Sequence, residues 1–348
     1  MATVREHMAR HDDPGELPLV TESARVVDVT PMDEGRNDEV RHAVASCCEA
    51  LDRPSLVERR PDEPPDVDWD GVESLLESGA AGPVIDALAD CYERFRRPYP
   101  SLLSIRVRVD DGPIAFVPGQ YVTVRFMDTP RPYSVASSPT EDVLEFCVRR
   151  VPGGRLTTDL FESLDPGDEV TIRGPNGHFV LGEPSTRDLA FLATGTGVAP
   201  LKSMLEYALE TGQDTADGTR RDCWCFLGCG WEDDLPYREY FRALDAEYEH
   251  VHFVPTLTRE RHLTDWQGET AYVQRTLMKY LTDDAPDPVD PALAAFRDRE
   301  PATDVDARID PRNLEVYACG VSAMVETLLD AVEQVGVPER YASGEGFG

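Results

Sequence analysis

Lysine is almost missing from this chain: among 34 basic residues, Lys202 and Lys279 are the two lysines and the rest are arginine. No apolar run is long enough to span a membrane, and the opening residues lack the basic-then-apolar pattern of a secretion signal. The eight cysteines never fall into the C-x4-C-x2-C spacing that holds a plant-type iron–sulfur cluster. Cys223-x-Cys225-x3-Cys229 comes nearest to a metal pattern, but CWCFLGC reads as a strand with Cys223 and Cys225 on one face as small hydrophobes. No metal site is assigned. Free thiols are expected, since nothing points to a secreted protein. The seven histidines are scattered and none is given a role.

Acid is what the chain has in excess. It carries 66 Asp and Glu against 34 basic residues, a net charge of −32. Such a charge excludes general nucleic-acid binding, which needs a cationic surface. The acids are spread along the chain instead of gathered in one tail. Self-repulsion of this size is tolerable in concentrated salt, where the Debye length falls to about 3 Å. The composition therefore predicts a halophilic, cytoplasmic protein. A length of 348 residues predicts two domains, each with a real core.

The most informative stretch is FVPGQYVTVRFMDTPRPYSVASSP, residues 116–139. Pro118-Gly119 makes a tight turn, and Tyr121 to Phe126 reads as a strand of β-branched and aromatic residues. Arg131-Pro132-Tyr133-Ser134 follows on backbone that proline holds extended. Alternation turns Arg131 and Tyr133 one way and Ser134 the other. Such a segment can stack a ring on a flat ligand while a guanidinium grips a phosphate.

PGQY followed by RPYS resembles the flavin-binding barrel of the ferredoxin–NADP reductase superfamily. The resemblance implies that Arg131 holds the FAD pyrophosphate, that Tyr133 lies against the isoalloxazine, and that the Ser134 hydroxyl sits near flavin N5. Before this stretch, Ala24 to Thr30 reads as the first barrel strand and Leu102 to Val109 as the second. Between them, helical spacing over Asp38–Leu51, Trp69–Ser78 and Pro83–Phe95 predicts a helical insertion at about residues 36–98. A lid over the flavin, a partner-docking surface and plain decoration are all open for it. Residues 1–21 read as a polar, loosely held arm.

After the strand Val143–Arg150 comes Val151-Pro152-Gly153-Gly154-Arg155-Leu156-Thr157-Thr158. The double glycine lets backbone approach a ligand, and Thr157 and Thr158 open a short helix whose first amides suit an anion. This resembles the family's second FAD phosphate segment. Gly174-Pro175-Asn176-Gly177-His178-Phe179 is similar to the turn that closes the family's barrel.

From residue 188 the pattern changes to short apolar runs alternating with helices, which predicts a parallel, doubly wound sheet. Its first unit ends in Thr194-Gly195-Thr196-Gly197-Val198-Ala199-Pro200, a strand–glycine turn–helix that resembles the family's NAD(P) turn, with Thr196 beside the nicotinamide. In PTLTRERHLTDWQGETAYVQ, Thr258, Arg259 and Tyr272 match residues that read the adenosine 2′-phosphate and adenine, while Thr270 stands where the family has lysine. One arginine without that lysine implies a moderate NADPH preference over NADH, narrowing as salt rises. Cys319-Gly320 resembles the family's Cys-Gly near the transferred hydride, and the Gly344-Glu345-Gly346-Phe347 ending resembles its Glu-x-Phe. Ser134, Cys319 and Glu345 are therefore the catalytic candidates.

The reading is an antiparallel FAD-binding barrel over residues 22–187, with the insertion between its first two strands. A parallel doubly wound NAD(P)-binding sheet follows over 188–348. Electrons would pass between NAD(P)H, FAD and a one-electron carrier, ferredoxin foremost. A reductase component feeding an oxygenase, cytochrome or membrane chain is the alternative, and a non-catalytic flavin-bearing interaction subunit the third reading.

Overall fold

The structure, a computed structural model, describes residues 4–6 and 19–347. In chain order, strand β1 is Val4–Glu6 and β2 is Val20–Pro31. Helices α1 (Asn37–Ala50), α2 (Trp69–Glu77) and α3 (Pro83–Arg96) follow, with a small ribbon of β3 (Val57–Glu58) and β4 (Asp66–Val67) between the first two. Then come β5 (Leu102–Val109), β6 (Tyr121–Phe126), β7 (Thr129–Ser134), β8 (Leu144–Arg149), α4 (Arg155–Ser163) and β9 (Glu169–Asn176). The second half holds β10 (Asp188–Thr194), α5 (Val198–Thr211), the ribbon β11 (Thr215–Ala216) and β12 (Thr219–Arg220), and β13 (Cys223–Cys229). It continues with α6 (Arg238–Glu247), β14 (Val251–Leu257), α7 (Val273–Met278), α8 (Pro291–Ala294), β15 (Leu314–Val321), α9 (Ser322–Gln334) and β16 (Ala342–Phe347).

The first sheet is antiparallel, in the order β7-β6-β9-β2-β5-β8. Alternation along β5 and β6 sends Ile105, Val107, Val122 and Val124 into one core with Val26, Phe146 and Ile172. The sheet curls without closing, so the RPYS strand β7 is an edge. The second sheet is parallel, in the order β1-β16-β15-β10-β13-β14. Its apolar strands are covered on one face by α5 and α6 and on the other by α7 and α9. This is the barrel-plus-doubly-wound architecture expected from the sequence.

Three features were not expected. Ala342–Phe347, a glycine-rich ending, is a strand paired in parallel with β15. Most of the polar arm read over residues 1–21 lies outside the described residues. Within it, Val4–Glu6 pairs with Gly344–Gly346, and Val20 and Thr21 already belong to β2. Strand pairing, not looseness, governs those five positions.

The insertion leaves and re-enters the barrel at one point. Pro31 pairs with Leu103, the Met32 amide donates to the Leu102 carbonyl at 2.9 Å, and Asp33 accepts from the Ser101 amide at 2.8 Å and hydroxyl at 2.7 Å. Its own core (Val40, Val44, Cys48, Val72, Leu88, Cys91) is completed by Trp231 from the loop after β13, fully buried. Charge adds to this contact. Asp233 accepts from Arg94 at 2.6 Å and Arg36 at 3.4 Å, and Glu260 takes both Arg36 amino nitrogens at 2.9 Å. Asp234 is paired with Arg97 and, from the barrel strand β8, with Arg149 at 3.1 Å. Lys202 of α5 is buried between Glu206 at 3.0 Å and Glu145 of β8 at 3.3 Å. The second lysine, Lys279, meets fully buried Glu269 at 2.5 Å. Among the described residues no helix is long and apolar enough to cross a membrane.

Because Trp231 is the insertion's anchor in the second domain, Trp231→Ala is expected to cost about 3–5 kcal/mol of stability. Urea denaturation at fixed salt measures it; a loss under 1 kcal/mol, the scale of an exposed substitution, would mean that the insertion does not depend on this side chain.

Candidate active site

Strand β7 carries Arg131, Pro132, Tyr133 and Ser134 along the open edge of the barrel. Arg131 is exposed; its Nη1 donates to the Pro130 carbonyl at 2.8 Å, and it pairs with no carboxylate among the described residues. Tyr133 is half-buried against the barrel core, its ring centroid 6.3 Å from that of Phe146. Burial pushes its phenol up to about 12, and the Arg131 charge opposes the shift without cancelling it. The ring is neutral at any ordinary pH.

Helix α4 packs on β7, and the turn before it holds Gly153 and Gly154. Gly153 has φ +71°, and a side chain there would meet open space, so the backbone is bare on its outer side. The helix opens at Arg155, two residues earlier than the sequence suggested. Thr157 is its third residue, and its hydroxyl turns back to the Gly154 carbonyl at 3.2 Å and the Val151 carbonyl at 3.3 Å. The turn itself thus uses the Thr157 oxygen. What the segment offers an anion is the first-turn amides, with half-buried Thr158 beside them.

A chain of neighbours links the catalytic candidates across the seam between the two sheets. Ser134 lies opposite Tyr121, which pairs onward with Asn176. Gly177, the next residue, is so close to the Tyr121 ring that a Cβ would lie 3.0 Å from it and 3.9 Å from Glu345 Oε1. Glu345 on β16 is in register with Cys319 on β15. The path Ser134–Tyr121–Gly177–Glu345–Cys319 thus crosses from barrel to sheet through direct neighbours. Cys319 is fully buried; burial, then the Glu345 charge, raise its thiol well above the usual range, so it is present as the neutral S–H.

On the sheet side, the carboxyl ends of β10, β13 and β14 lie together, next to the point between β10 and β15 where the strand order reverses. Gly195, Thr196 and Gly197 form a single 3₁₀ turn at the end of β10, and Pro200 is buried in the first turn of α5. Gly197 lies under the strand-end pair Cys319-Gly320: a Cβ at residue 197 would stand 2.3 Å from the Cys319 carbonyl oxygen. Only glycine allows the turn so close to Cys319.

A cavity of about 570 Å³ opens beside this turn, within the size range of small-molecule sites. Gly195, Thr258, Arg259 and Tyr272 line it, as do Arg97 and Asp90 from the insertion and Arg149 and Asp234 from the seam. Tyr272 is 60 % exposed, so its ring is available for stacking. The environment of Arg259 differs from the one its resemblance implies. Its Nε meets Asp90 at 3.1 Å and its Nη1 meets Glu93 at 3.1 Å, both carboxylates from α3. The guanidinium whose resemblance points to a 2′-phosphate is thus paired with two carboxylates through Nε and Nη1. Sequence reading missed Asp90, Arg97, Arg149 and Asp234 because their partners lie far along the chain. The one local signal was the helical spacing of Asp90, Arg94 and Arg97, which puts them on one face.

Two family models match the chain: an oxidoreductase FAD-binding domain over residues 100–181 and an oxidoreductase NAD-binding domain over residues 191–330. Among curated proteins, the phenol hydroxylase P5 protein of Acinetobacter pittii is 32 % identical over 185 residues, covering 52 % of this chain and 50 % of that protein. Ferredoxin--NADP reductase B of Sorangium cellulosum is 28 % identical over 246 residues, covering 69 % and 88 %. The chain spans about half the length of the first two curated relatives it matches, 50 % and 47 %. Among solved structures, an Amycolatopsis cytochrome P450 reductase superposes with TM-score 0.61 at 22 % identity, covering 95 % of this chain and 71 % of the other. A Neisseria gonorrhoeae ferredoxin NADP+ reductase solved with FAD and NADP gives TM-score 0.55 at 20 % identity, covering 71 % and 94 %. Both structures share the fold.

The closeness of the glycine turn to Cys319 generates a test. Gly197→Ala is expected to destabilise the protein by about 1–3 kcal/mol, the cost of overpacking. Chemical denaturation checks it; unchanged stability would mean that the turn and β15 can separate freely.

Proposed function

We propose that this chain, which matches models of an oxidoreductase FAD-binding and an oxidoreductase NAD-binding domain, moves electrons from a reduced nicotinamide through FAD to a separate one-electron carrier, ferredoxin foremost. The observation that carries this reading is the pairing of Glu345 with Cys319 beside the Gly197 turn, linked through Gly177 and Tyr121 to Ser134 on the barrel edge.

The residues fit the cofactor. Arg131, exposed and unpaired with acid among the described residues, would hold the FAD pyrophosphate, and Tyr133 would give the flavin ring a neutral aromatic face. The Gly153–Gly154 turn and the α4 amides would take the second phosphate. Bound FAD supplies the exchange between a hydride and single electrons. The chain's own part is orientation and dryness. Ser134 offers a hydroxyl at the barrel edge, while Cys319 and the 3 % exposed Glu345 keep the meeting point of the two cofactors free of bulk water. Gly195, Gly197 and Pro200 would seat the nucleotide's pyrophosphate with Thr196 beside the nicotinamide, and Gly320, at φ +157° one residue before the end of β15, leaves the strand end without a side chain there.

A second reading is a reductase component serving an oxygenase. It is favoured by relatives whose names describe reductase components of naphthalene dioxygenase and phenol monooxygenase systems. The two readings differ in the acceptor and share every step before it. The net charge of −32 further supports work in concentrated salt.

The purified protein is expected to hold FAD, identified by chromatography after heat release, and to bleach on anaerobic addition of reduced nicotinamide. Recovery of FMN alone, or a flavin that stays oxidised, would overturn the proposal. Tyr133→Ala should weaken flavin retention by about 0.5–1.5 kcal/mol beyond the area lost. Cys319→Ala should slow bleaching in stopped flow while flavin content stays as it was; an unaltered rate would leave Cys319 a buried packing residue.

A further inference from the structure

The insertion reaches the nucleotide cavity. Asp90, Arg94 and Arg97 lie on one face of α3 and its end, spaced by four and three residues. Arg94 and Arg97 fasten that face to Asp233 and Asp234, which leaves Asp90 at the cavity wall with Thr258, Arg259 and Tyr272. We infer that Asp90 makes this cavity select NADH over NADPH: its carboxylate receives the hydroxyls of the adenosine ribose and, with Glu93, repels a 2′-phosphate. The inference rests on the proposed function in taking the cavity as the nucleotide site.

Three observations carry it. First, the group at the end of β14 best suited to a 2′-phosphate, Arg259, is bound by Asp90 at 3.1 Å and Glu93 at 3.1 Å. A guanidinium donates through five N–H groups on a planar fork, and here the Nε edge is taken. A phosphate bearing about −1.5 to −2 charge would have to displace two carboxylates or lie against them. Second, a carboxylate in this position does what an acidic residue does in NAD-binding sites generally, accepting from the ribose 2′-hydroxyl. Third, Asp90 is not free to swing aside. Its second oxygen lies 3.8 Å from His262, and its helix is tied down by Arg94 and Arg97 and by packing in the core that buried Trp231 completes. The insertion is then neither decoration nor a flavin lid but the outer wall of the nucleotide site.

The test is direct binding. Isothermal titration of the intact protein with NAD+ and with NADP+, at one fixed salt concentration, is expected to show NAD+ tighter by roughly ten- to a hundredfold, the range of one or two hydrogen bonds to a charged group. Asp90→Asn should weaken NAD+ and strengthen NADP+, so that the ratio collapses. Glu93→Gln, at a side chain 65 % exposed where a substitution costs little stability, should strengthen NADP+ and leave NAD+ as it was. A wild-type preference for NADP+, or a ratio indifferent to both substitutions, overturns the inference while leaving the proposed function intact. A protein that binds neither nucleotide overturns the proposed function itself.

Discussion

The arrangement of this protein depends on a small set of carboxylates buried where three units meet. Asp233 and Asp234 after β13, and Glu260 after β14, take Arg36, Arg94 and Arg97 from the insertion and Arg149 from the barrel. Burial pushes the Asp233 carboxyl up, and Arg94 and then Arg36 oppose that shift. Charges withdrawn from water are tolerable only when every partner is present, so the network acts as a single unit. Its value is geometric more than energetic. It fixes how the insertion faces the parallel sheet and how the barrel strand β8 faces both.

A different logic holds the flavin side. There the chain leaves an edge strand uncovered and arms it with Arg131, Tyr133 and Ser134, beside a bare glycine turn. An exposed edge is usually guarded by charge or proline, and Pro130 and Pro132 serve that end on β7, with Arg131 exposed between them and Tyr133 half-buried against the core. The proposed flavin seat would thus lie on a strand that also guards itself against unwanted pairing.

Most of the fold was legible in the sequence. Alternation marked β5 and β6, apolar runs marked β10 and β13, and helical spacing marked all three helices of the insertion to within a few residues. β16 was not legible, because Gly344 and Gly346 lower the intrinsic preference for strand; pairing with β15 overrides it. The candidate site divides in the same manner. Local motifs, such as RPYS, the double glycine and the GTG turn, can be read because a few adjacent residues carry their geometry. The cavity's outer wall could not be read, since Asp90 and Arg259 are separated by more than a whole domain and their meeting depends on how the insertion docks. The direction of Thr157 was hidden for a smaller reason: a hydroxyl in a first turn can serve the turn or a ligand, and the sequence is the same for either.

The two lysines have a consequence for the protein's outer face. Lys202 is enclosed by Glu206 and Glu145, with the Tyr240 ring 4.6 Å away, and Lys279 is held by Glu269. Among the described residues, then, positive charge reaches the surface as guanidinium alone, a planar and weakly hydrated group, set among carboxylates that hold water strongly. Reagents that seek primary amines, including common crosslinkers and surface-immobilisation chemistries, meet no open side chain there. An anion meeting such a surface would be held through forked, bidentate contacts and not through mobile ammonium groups.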